Sequence, residues 1–260
     1  MSDLNSELAR DLLEATRTRV PVPRLTTRFP QLTVDDAYEI QTLQLRAHEK
    51  AGRVLIGRKV GLTSKAMQDQ LGVDSPDFGF FFEDMLYTDG AKIPVGQFVS
   101  PKVEPEFAFI LGTDLQGPGV TLEAAAQAIA HVHPAIEIID SRIADWDIGL
   151  VDTIADNASC GAIVIGEHEI DVEPLLLSDL ECTLRVDGEP IGVGRGDAVM
   201  GHPVAPLAWL ANVLGERGVG LRAGDAVLPG ALMAAAAIPV GVDVTADFGA
   251  NGSLTIAFSD

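Results

Sequence analysis

Short apolar runs, separated by glycines, prolines and turn dipeptides, follow one another along most of the chain from residue 53 onwards. Runs of this length are typical of β-strands, and Asp187-Gly188 and Asn251-Gly252 each lie between two of them, which is the signature of a tight hairpin. We predict strands at Phe107–Leu111, Ala135–Ile139, Ala162–Ile165, Leu180–Val186, Ala226–Leu228, Val242–Phe248 and Leu254–Phe258, and helices at Lys65–Leu71, Thr121–Ala130 and Pro206–Glu216.

The N-terminal segment follows a helical period instead. Leu4, Leu8 and Leu12 recur at intervals of four residues, which predicts a helix with one apolar stripe. Thr33 is a candidate N-cap for a second helix, and Gly52 fits the position just after the end of that helix. A small helical N-terminal part on a larger mixed or antiparallel β-rich domain is an α+β arrangement.

The excess of acidic residues excludes several classes of function. The chain has 38 Asp and Glu against 18 Lys and Arg, which gives a formal net charge of −20. Nucleic-acid-binding proteins neutralise phosphates with clustered basic residues, and an anionic membrane surface repels such a charge. The N-terminus has neither a basic nor a hydrophobic leader segment, so we predict no signal peptide and a cytoplasmic location. We expect neither nucleic acid nor membrane as a partner.

Three glutamates form the most informative local pattern. Glu104 and Glu106 flank Pro105, and in an extended segment residues two apart point to the same face. Because proline donates no ladder hydrogen bond, we expect this stretch at a sheet edge or bulge. Glu137 lies inside an apolar run, where an unpaired charge would be costly. The pattern leaves two readings open: a site for a hard cation such as Mg²⁺ or Mn²⁺, or two solvated glutamates and an arginine-paired Glu137.

Other candidate residues carry weaker signals. Lys59 lies between a β-type run and a glycine, either as an exposed strand end or as the charge partner or proton donor of a carboxylate cluster. His131 and His133 are expected to form a surface pair, since no third nitrogen or sulfur ligand has suitable spacing. Cys160 has no paired histidine and is expected to be a small buried residue.

Five segments stand out when the chain is considered in order: Ile56–Lys65, Pro76–Gly79, Val103–Leu111, Glu137–Ile143 and Asp152–Ser159. Together they resemble the 2-hydroxypenta-2,4-dienoate hydratases (2-keto-4-pentenoate or vinylpyruvate hydratases) of aromatic meta-cleavage pathways. These hydratases belong with the 4-oxalocrotonate decarboxylases to the fumarylacetoacetate hydrolase-like superfamily. The resemblance extends over nearly the whole chain, and such a series is far more specific than any single motif.

The resemblance implies a fold and an assembly. The fold is α+β, with a small helical N-terminal part on a mixed β-sheet roll of the fumarylacetoacetate hydrolase-like type. It implies a helical region over residues 1–72 and a fumarylacetoacetase-like catalytic domain over residues 73–260. It also implies a homo-oligomer, and it leaves open a complex with a downstream aldolase or a sister decarboxylase.

The resemblance also assigns roles to single residues. Three positions match the family's carboxylate ligands for a divalent metal, Mg²⁺ or Mn²⁺, and these are Glu104, Glu106 and Glu137. Lys59 matches the active-site lysine, and Ser159 matches a polar residue on the substrate side. Gly230 and Ala231 match a turn beside the substrate, although Pro229 departs from the Ser-Gly or Thr-Gly pattern of the family.

The choice between sister activities depends on Asp77. Pro76–Gly79 and Asp140–Trp146 resemble the hydratase version of these segments, which favours addition of water to a 2-hydroxy-2,4-dienoate to give a 4-hydroxy-2-oxo acid. Asp77 and Lys59 are then the candidates for the two proton transfers that this reaction requires. The alternatives are decarboxylation of 2-oxo-3-hexenedioate and a non-catalytic subunit that stabilises a paired decarboxylase.

Overall fold

The computed structural model describes residues 3–64, 68, 73, 75–237 and 239–260. Within these residues the chain forms helices packed on two β-sheets, in agreement with the α+β prediction. The helix predicted at Lys65–Leu71 lies outside the described residues except for Gln68. The described helices are α1 (Asp3–Thr18), α2 (Leu25–Arg28), α3 (Val34–Lys50), α4 (Leu122–Ala128), α5 (Leu150–Ala155) and α6 (Val204–Glu216).

The described strands are β1 (Leu55–Gly61), β2 (Asp77–Phe82), β3 (Leu86–Thr88), β4 (Lys92–Pro94), β5 (Lys102–Leu111), β6 (Ile129–Ile139), β7 (Cys160–Ile165), β8 (Glu181–Val186), β9 (Glu189–Arg195), β10 (Ala226–Leu228), β11 (Asp243–Asp247) and β12 (Ser253–Ser259). The seven predicted strands are all found, as β5, β6, β7, β8, β10, β11 and β12. The larger sheet has the order β2-β1-β10-β5-β6-β7-β3, and the smaller sheet has the order β4-β12-β11-β8-β9. Both contain parallel and antiparallel pairs, so each sheet is mixed.

The apolar faces of the two sheets meet in one core. Phe107 of β5 lies with its ring centroid 5.5 Å from that of Phe248, which follows β11. Ile136 of β6 and Phe258 of β12 are also buried in this cluster. β5 and β6 are therefore anchored on one side by this core, and side chains on their other face are free to build a site.

The N-terminal helices form as their sequence signals predict. Leu8 and Leu12 of α1 are fully buried. The Thr33 hydroxyl accepts a hydrogen bond from the Asp36 backbone N–H, and the Asp36 carboxylate accepts one from the Thr33 N–H, which completes a capping box. Gly52 follows the end of α3 with φ +88°, a left-handed conformation that glycine adopts at little cost.

The two predicted hairpins differ in their turns. Asp187 and Gly188, with φ of 48° and 83°, form the predicted two-residue turn between β8 and β9. The loop between β11 and β12 is longer than the predicted tight turn and spans residues 248–252. The Asp247 carboxylate accepts a hydrogen bond from the Gly249 N–H, 2.9 Å away. This contact turns the backbone directly after β11, before Asn251-Gly252, and so makes the loop longer.

One strand that positions the site was not predicted. β2 is buried along its whole length and pairs antiparallel with β1, with Gly61 opposite Asp77 and Lys59 opposite Gly79. Its first and third residues, Asp77 and Gly79, interrupt the apolar pattern and conceal it. β1 joins the larger sheet through β2 and β10, whereas the division of the chain at residue 72 stays a prediction.

Candidate active site

The β5–β6 ladder brings the three glutamates together. Glu104 of β5 lies directly opposite Glu137 of β6, and Glu106 follows two residues further along β5. Directly opposed residues and residues two apart share one face of a sheet. One oxygen from each of Glu104, Glu106 and Glu137 lies within 4.8 Å of the others. The structure therefore places the three side chains at one point.

β5 as a whole lies in the interior of the larger sheet between β10 and β6, but β10 pairs only with Phe109 and Ile110, so among the described residues no strand borders Pro105 on that side. The ladder to β6 continues through Pro105, which is opposite Ile136. On the other side, the Pro105 carbonyl accepts a hydrogen bond from Leu232 N–H, and Val103 pairs with Ala236. A loop rather than a strand covers this side of Pro105, so the missing proline N–H costs no ladder hydrogen bond.

The glutamate cluster is buried and incompletely satisfied. Glu137 and Glu106 are 0% and 1% exposed. Both Glu137 oxygens and Glu106 Oε1 are buried without a hydrogen bond, while Glu106 Oε2 accepts one from the Gly230 N–H at 2.9 Å. Burial and then the charge of Glu137 raise the pKa of Glu104 to about 7, and the same causes raise the pKa of Glu106 well above its usual value. A set of carboxylate oxygens in this state fits a hard divalent cation.

Lys59 reaches the same cluster from β1. Its Nζ lies 3.4 Å from Glu137 Oε1 and donates a hydrogen bond to the Ala158 carbonyl at 3.0 Å. Burial opposes the charged form, but the carboxylates of Glu137, Asp77 and Glu104 outweigh it and raise the pKa of Lys59. Lys59 is therefore a buried cation beside the carboxylates, and the structure excludes the exposed strand end.

Asp77 lies at the start of β2 on the same face as Lys59. Its Oδ2 accepts a hydrogen bond from Thr153 Oγ1 of α5 at 3.2 Å, and its Oδ1 is buried without a partner. Burial raises the pKa of Asp77, although the charge of Lys59 and the Thr153 hydrogen bond lower it in part. Gly61 lies opposite Asp77, and any Cβ there would overlap Asp77 Oδ1 and come 3.0 Å from Lys59 Nζ. Glycine is needed at this position to leave room for both groups.

A strained segment presents Ser159. Asn157, Ala158 and Ser159 have φ of 55°, 50° and 53°, a left-handed run that is costly for residues with a Cβ. The Asn157 side chain exchanges two 2.9 Å hydrogen bonds with the Phe80 backbone and holds this segment on β2. The Ser159 hydroxyl is buried without a hydrogen-bond partner. The strain thus exposes the Ala158 carbonyl to Lys59 and leaves the Ser159 hydroxyl free.

A buried ion pair supports this segment from the other side. Arg142 donates to the Asp156 carboxylate through Nε at 2.6 Å and to the Cys160 carbonyl at 2.8 Å. The same carboxylate accepts a hydrogen bond from the Ser141 hydroxyl at 2.9 Å. These contacts join the segment after β6 to the segment after α5.

Two adjacent cavities lead to these groups. A cavity of about 220 Å³ is lined by charged and polar residues, including Lys59, Asp77, Thr153 and Ser159, and by the apolar side chains Ile139, Trp146 and Ile148. A second cavity of about 300 Å³ is lined by Thr63 and Ala231 among others. Glu104, Gly61 and Leu62 line both, so the cavities share one wall.

Gly230 and Ala231 occupy different positions around these cavities. Gly230 has φ +126°, and a Cβ there would overlap the Thr63 hydroxyl. Its N–H binds Glu106, so Gly230 positions a carboxylate of the cluster. Ala231 lines the larger cavity next to Glu104. Pro229, where the family has a hydroxyl residue, precedes this turn and offers no side-chain donor.

Three further residues around the smaller cavity were not singled out from the sequence. Thr153 contacts Asp77 as described above. Lys102 precedes Glu104 by two residues on the same face of β5, and its ammonium lies 4.2 Å from the centroid of the Trp146 ring. Because Lys102 precedes Glu104 by two residues on the same strand, the sequence pattern could have placed Lys102 on the face of the glutamates. The positions of Thr153 and Trp146 beside the cavity depend on the fold.

Of the weaker candidates, the two histidines lie outside the site, whereas Cys160 lies beside Glu137. His131 is exposed and binds Glu169 Oε1 at 2.9 Å, and the His133 ring centroid lies 6.3 Å from that of His131, so the expected surface pair is confirmed. Cys160 is buried, as expected, and burial is the main cause that raises the pKa of its thiol.

Comparisons with known proteins agree with one another. The family model described as Fumarylacetoacetate (FAA) hydrolase C-terminal matches residues 50–255. The chain is 46% identical over 223 residues to 2-hydroxyhexa-2,4-dienoate hydratase of Comamonas testosteroni. The aligned residues cover 85% of this chain and 84% of that protein. The chain is 45% identical over 226 residues to 2-keto-4-pentenoate hydratase of Paraburkholderia xenovorans, which covers 87% of this chain and 84% of that protein.

A solved structure matches almost the whole fold. The structure of 4-oxalocrotonate decarboxylase from Pseudomonas putida G7, complexed with magnesium and adipate, superposes with a TM-score of 0.95 at 32% identity. The match covers 98% of this chain and 97% of that chain. Among the described residues, no helix combines the length and the apolar character that crossing a membrane requires.

Proposed function

The chain belongs to the fumarylacetoacetate hydrolase family, and on this premise we propose that it is a metal-dependent hydratase of 2-hydroxypenta-2,4-dienoate or a substituted dienoate. The product is a 4-hydroxy-2-oxo acid, formed in the meta-cleavage degradation of aromatic compounds. The observation that supports this proposal most strongly is Asp77, a buried carboxyl group with one free oxygen beside Lys59 in the same cavity. The names of the relatives with 45–46% identity agree with it.

The metal ligands in this proposal are Glu104, Glu106 and Glu137. The unsatisfied oxygens of Glu106 and Glu137, and the raised pKa values of Glu104 and Glu106, support a divalent-cation site. When bound, Mg²⁺ or Mn²⁺ supplies Lewis-acid stabilisation of negative charge on the 2-oxygen of the substrate. The three glutamates would fix the position of the cation, and the Gly230 N–H holds the Glu106 carboxylate in place.

Lys59 serves as a fixed positive charge in this mechanism. Its ammonium is held by Glu137 and by the Ala158 carbonyl, and its raised pKa keeps it protonated. A buried cation aimed at the substrate 2-oxygen stabilises the dienolate as charge moves onto that oxygen, and it needs no reorganisation during the reaction. Lys59 therefore favours the ionised substrate without itself losing a proton.

Asp77 is the group that transfers protons. Burial raises its pKa above the usual value of an aspartate, which favours proton donation, and Asp77 lines the cavity. The 2-hydroxyl proton of the substrate leaves to solvent, and Asp77 donates a proton to C5 of the resulting dienolate, which gives a 2-oxo-3-enoate. The Asp77 carboxylate then accepts a proton from the water that adds to C4, and a proton from solvent at C3 of the enolate completes the 4-hydroxy-2-oxo acid. The free Ser159 hydroxyl is placed to bind a substrate or water oxygen.

Decarboxylation of 2-oxo-3-hexenedioate is the second candidate function. The close structural match to a decarboxylase that binds the dicarboxylate adipate favours it, and Lys102 lines the cavity where a distal carboxylate would lie. In this chain, however, Lys102 lies over the Trp146 ring, and Ile139 and Ile148 line the same cavity. The apolar lining suits an uncharged dienoate tail better. The intact cluster disfavours a non-catalytic subunit.

An absorbance assay tests the proposal directly. We expect freshly generated 2-hydroxypenta-2,4-dienoate to lose its dienol absorbance with the enzyme plus Mg²⁺ or Mn²⁺, and turnover to stop with EDTA. Glu106→Gln should weaken metal binding more than tenfold, whereas the matched control Glu169→Gln, at an exposed glutamate, should not. Undiminished turnover in a metal-free preparation contradicts metal dependence. Release of CO₂ from 2-oxo-3-hexenedioate without hydration of dienols supports the decarboxylase.

A further inference from the structure

Arg58 is a buried arginine without a partner among the described residues. It is 8% exposed, yet no hydrogen bond or ion pair joins its guanidinium to any residue that the structure describes. Buried charges are normally paired, and none of the Arg58 nitrogens is enclosed without a partner, so its unpaired donors open onto solvent. Burial accordingly lowers the pKa of Arg58, and the more distant charges of Asp225 and Glu49 offset this only in part.

The side chain points away from the proposed active site. Arg58 precedes Lys59 on β1, and successive side chains of a strand point to opposite faces of the sheet. Lys59 contacts the glutamate cluster, whereas Arg58 faces the side covered by α3 and α6. There it lines a cavity of about 460 Å³, which we call the Arg58 cavity. This volume lies within the range of small-molecule sites, roughly 300–1,000 Å³.

The Arg58 cavity combines positive charge with apolar walls. Arg46 and Arg217 also line it, and the Arg217 guanidinium lies 4.6 Å from the centroid of the Tyr38 ring. Tyr38 and Phe78, stacked with centroids 4.6 Å apart, form part of the wall together with Leu214.

Two carboxylates also line the cavity, and neither neutralises Arg58. Glu39 accepts a hydrogen bond from the Asn5 side chain at 2.6 Å, and Asp35 lies in the first turn of α3. No ion pair within 4.0 Å connects either of them to Arg58. The least exposed charged residue that lines the cavity is thus an arginine whose donors are free.

We propose that the Arg58 cavity binds a small carboxylate, with its oxygens on the Arg58 guanidinium and its apolar body against Tyr38 and Phe78. The planar guanidinium matches a carboxylate with two parallel hydrogen bonds. This ligand is distinct from the substrate, because the sheet separates Arg58 from Lys59 and the glutamates. The proposal does not depend on the reaction that the glutamate site performs.

Calorimetric titration of the whole chain in EDTA tests the proposal, because chelation removes a metal-dependent carboxylate site from the measurement. Benzoate is the probe, benzamide is its neutral counterpart, and acetate and phosphate are further arms. We expect benzoate to bind at one equivalent per chain, acetate and phosphate to bind more weakly, and benzamide not to bind. Arg58→Met should lower the benzoate affinity more than tenfold, whereas the control Arg222→Met, at an exposed arginine paired with Asp114, should not.

Arg217→Met provides a second variant if Arg58→Met fails to fold. Arg217 is exposed at the rim, so its loss should leave the melting temperature unchanged and weaken benzoate binding several-fold. Equal binding of benzoate and benzamide, or benzoate affinity that neither variant changes, overturns the proposal. Sedimentation distinguishes the remaining source of a carboxylate. The wild type could be an oligomer that binds no benzoate, while the Arg58→Met variant is a monomer. This result would show that a second copy of the chain fills the cavity, and it would also overturn the proposal.

Discussion

Asp77 and Lys59 lie together in the folded chain, and their different partners divide the chemistry between them. Lys59 is surrounded by carboxylates, which keep it charged. Asp77 has one oxygen bound by Thr153 and one free, and burial raises its pKa. The different roles of Asp77 and Lys59 follow from their surroundings rather than from residue type. A buried carboxyl group with a raised pKa can transfer protons, whereas a cation paired with carboxylates keeps its proton and stabilises negative charge.

Replacement of Asp77 by Asn tests proton transfer at this residue. Asn keeps the shape of the side chain but neither donates nor accepts the proton, so kcat should fall about 10²–10⁴-fold while KM changes little. The measurement is steady-state loss of dienol absorbance. Asp84→Asn, at an exposed aspartate paired with Arg53, is the control and should retain wild-type kcat. Wild-type kcat in Asp77→Asn would contradict the assignment.

Thr153 positions Asp77 through a hydrogen bond, and a variant that removes only the hydroxyl distinguishes this role from packing. The Thr153 hydrogen bond lowers the pKa of Asp77. Thr153→Val should therefore raise that pKa, so the limb of the kcat profile that depends on the Asp77 carboxylate should move to higher pH. Thr153→Ser retains the hydroxyl and should restore the wild-type profile. If Val and Ser variants have the same pH profile, the hydrogen bond does not tune Asp77.

At the scale of elements, the β5–β6 ladder does most to build the site. It places Glu104 opposite Glu137 and carries Glu106 two residues further on. β1 and β2 then bring Lys59 and Asp77 to the same face. The helices act as supports: the Gln41 side chain of α3 donates hydrogen bonds to the Phe78 carbonyl at 2.7 Å and the Ile154 carbonyl at 3.1 Å, and so ties α3 to β2 and α5.

The end of α3 introduces a pH dependence of stability. His48 lies against the Phe82 ring and accepts a hydrogen bond from Arg53. Burial, and then the charge of Arg53, lower the pKa of His48 to about 4 from its usual 6.5. Below pH 6.5 the unfolded chain binds a proton at this histidine, whereas the folded chain does so only near pH 4. The free energy of unfolding should therefore decrease between pH 6.5 and 4.

His48→Gln isolates this contribution. Gln does not titrate, so the decrease in the free energy of unfolding between pH 6.5 and pH 4 should be smaller in this variant than in the wild type. Urea unfolding at a series of pH values measures the difference. The exposed His131 serves as the control position, and His131→Gln should leave the slope of the wild type between these pH values nearly unchanged. Equal slopes in wild type and His48→Gln would show that His48 does not contribute.

At the scale of the whole molecule, a core shared by two mixed sheets supports a site made of buried charges. Carboxylates with raised pKa values destabilise the folded state unless protons or a cation neutralise them. The net charge of −20 adds repulsion and attracts cations. The homo-oligomer, the cytoplasmic location and any complex with an aldolase or a decarboxylase stay predictions.

Metal binding should therefore stabilise the whole chain. A cation at 100 times its dissociation constant adds about 2.7 kcal/mol to the free energy of unfolding. The melting temperature should rise when Mg²⁺ or Mn²⁺ is added to EDTA-treated protein at pH 8, and Glu106→Gln should remove most of this rise. Scanning calorimetry measures both. A wild-type melting temperature that does not respond to either metal would contradict the metal site.

The local signals of the sequence determined the elements and the acidic pattern. The capping box at Thr33, the two-residue turn at Asp187-Gly188 and the apolar runs of the strands depend on neighbouring residues, so they are visible in the sequence itself. The i, i+2 spacing of Glu104 and Glu106 is equally local. Resemblance to a family, rather than spacing, added Asp77 and favoured the active-site interpretation of Lys59.

The tertiary structure decided everything that depends on strand order. Glu104 faces Glu137 across 33 positions of sequence only because β5 pairs with β6 in one particular register, and a shift by one residue would turn the cluster to the other face. Thr153 meets Asp77, and Arg58 faces a cavity, because elements distant in the chain pack there. Such contacts depend on long-range packing and register, for which a single sequence contains no local signal.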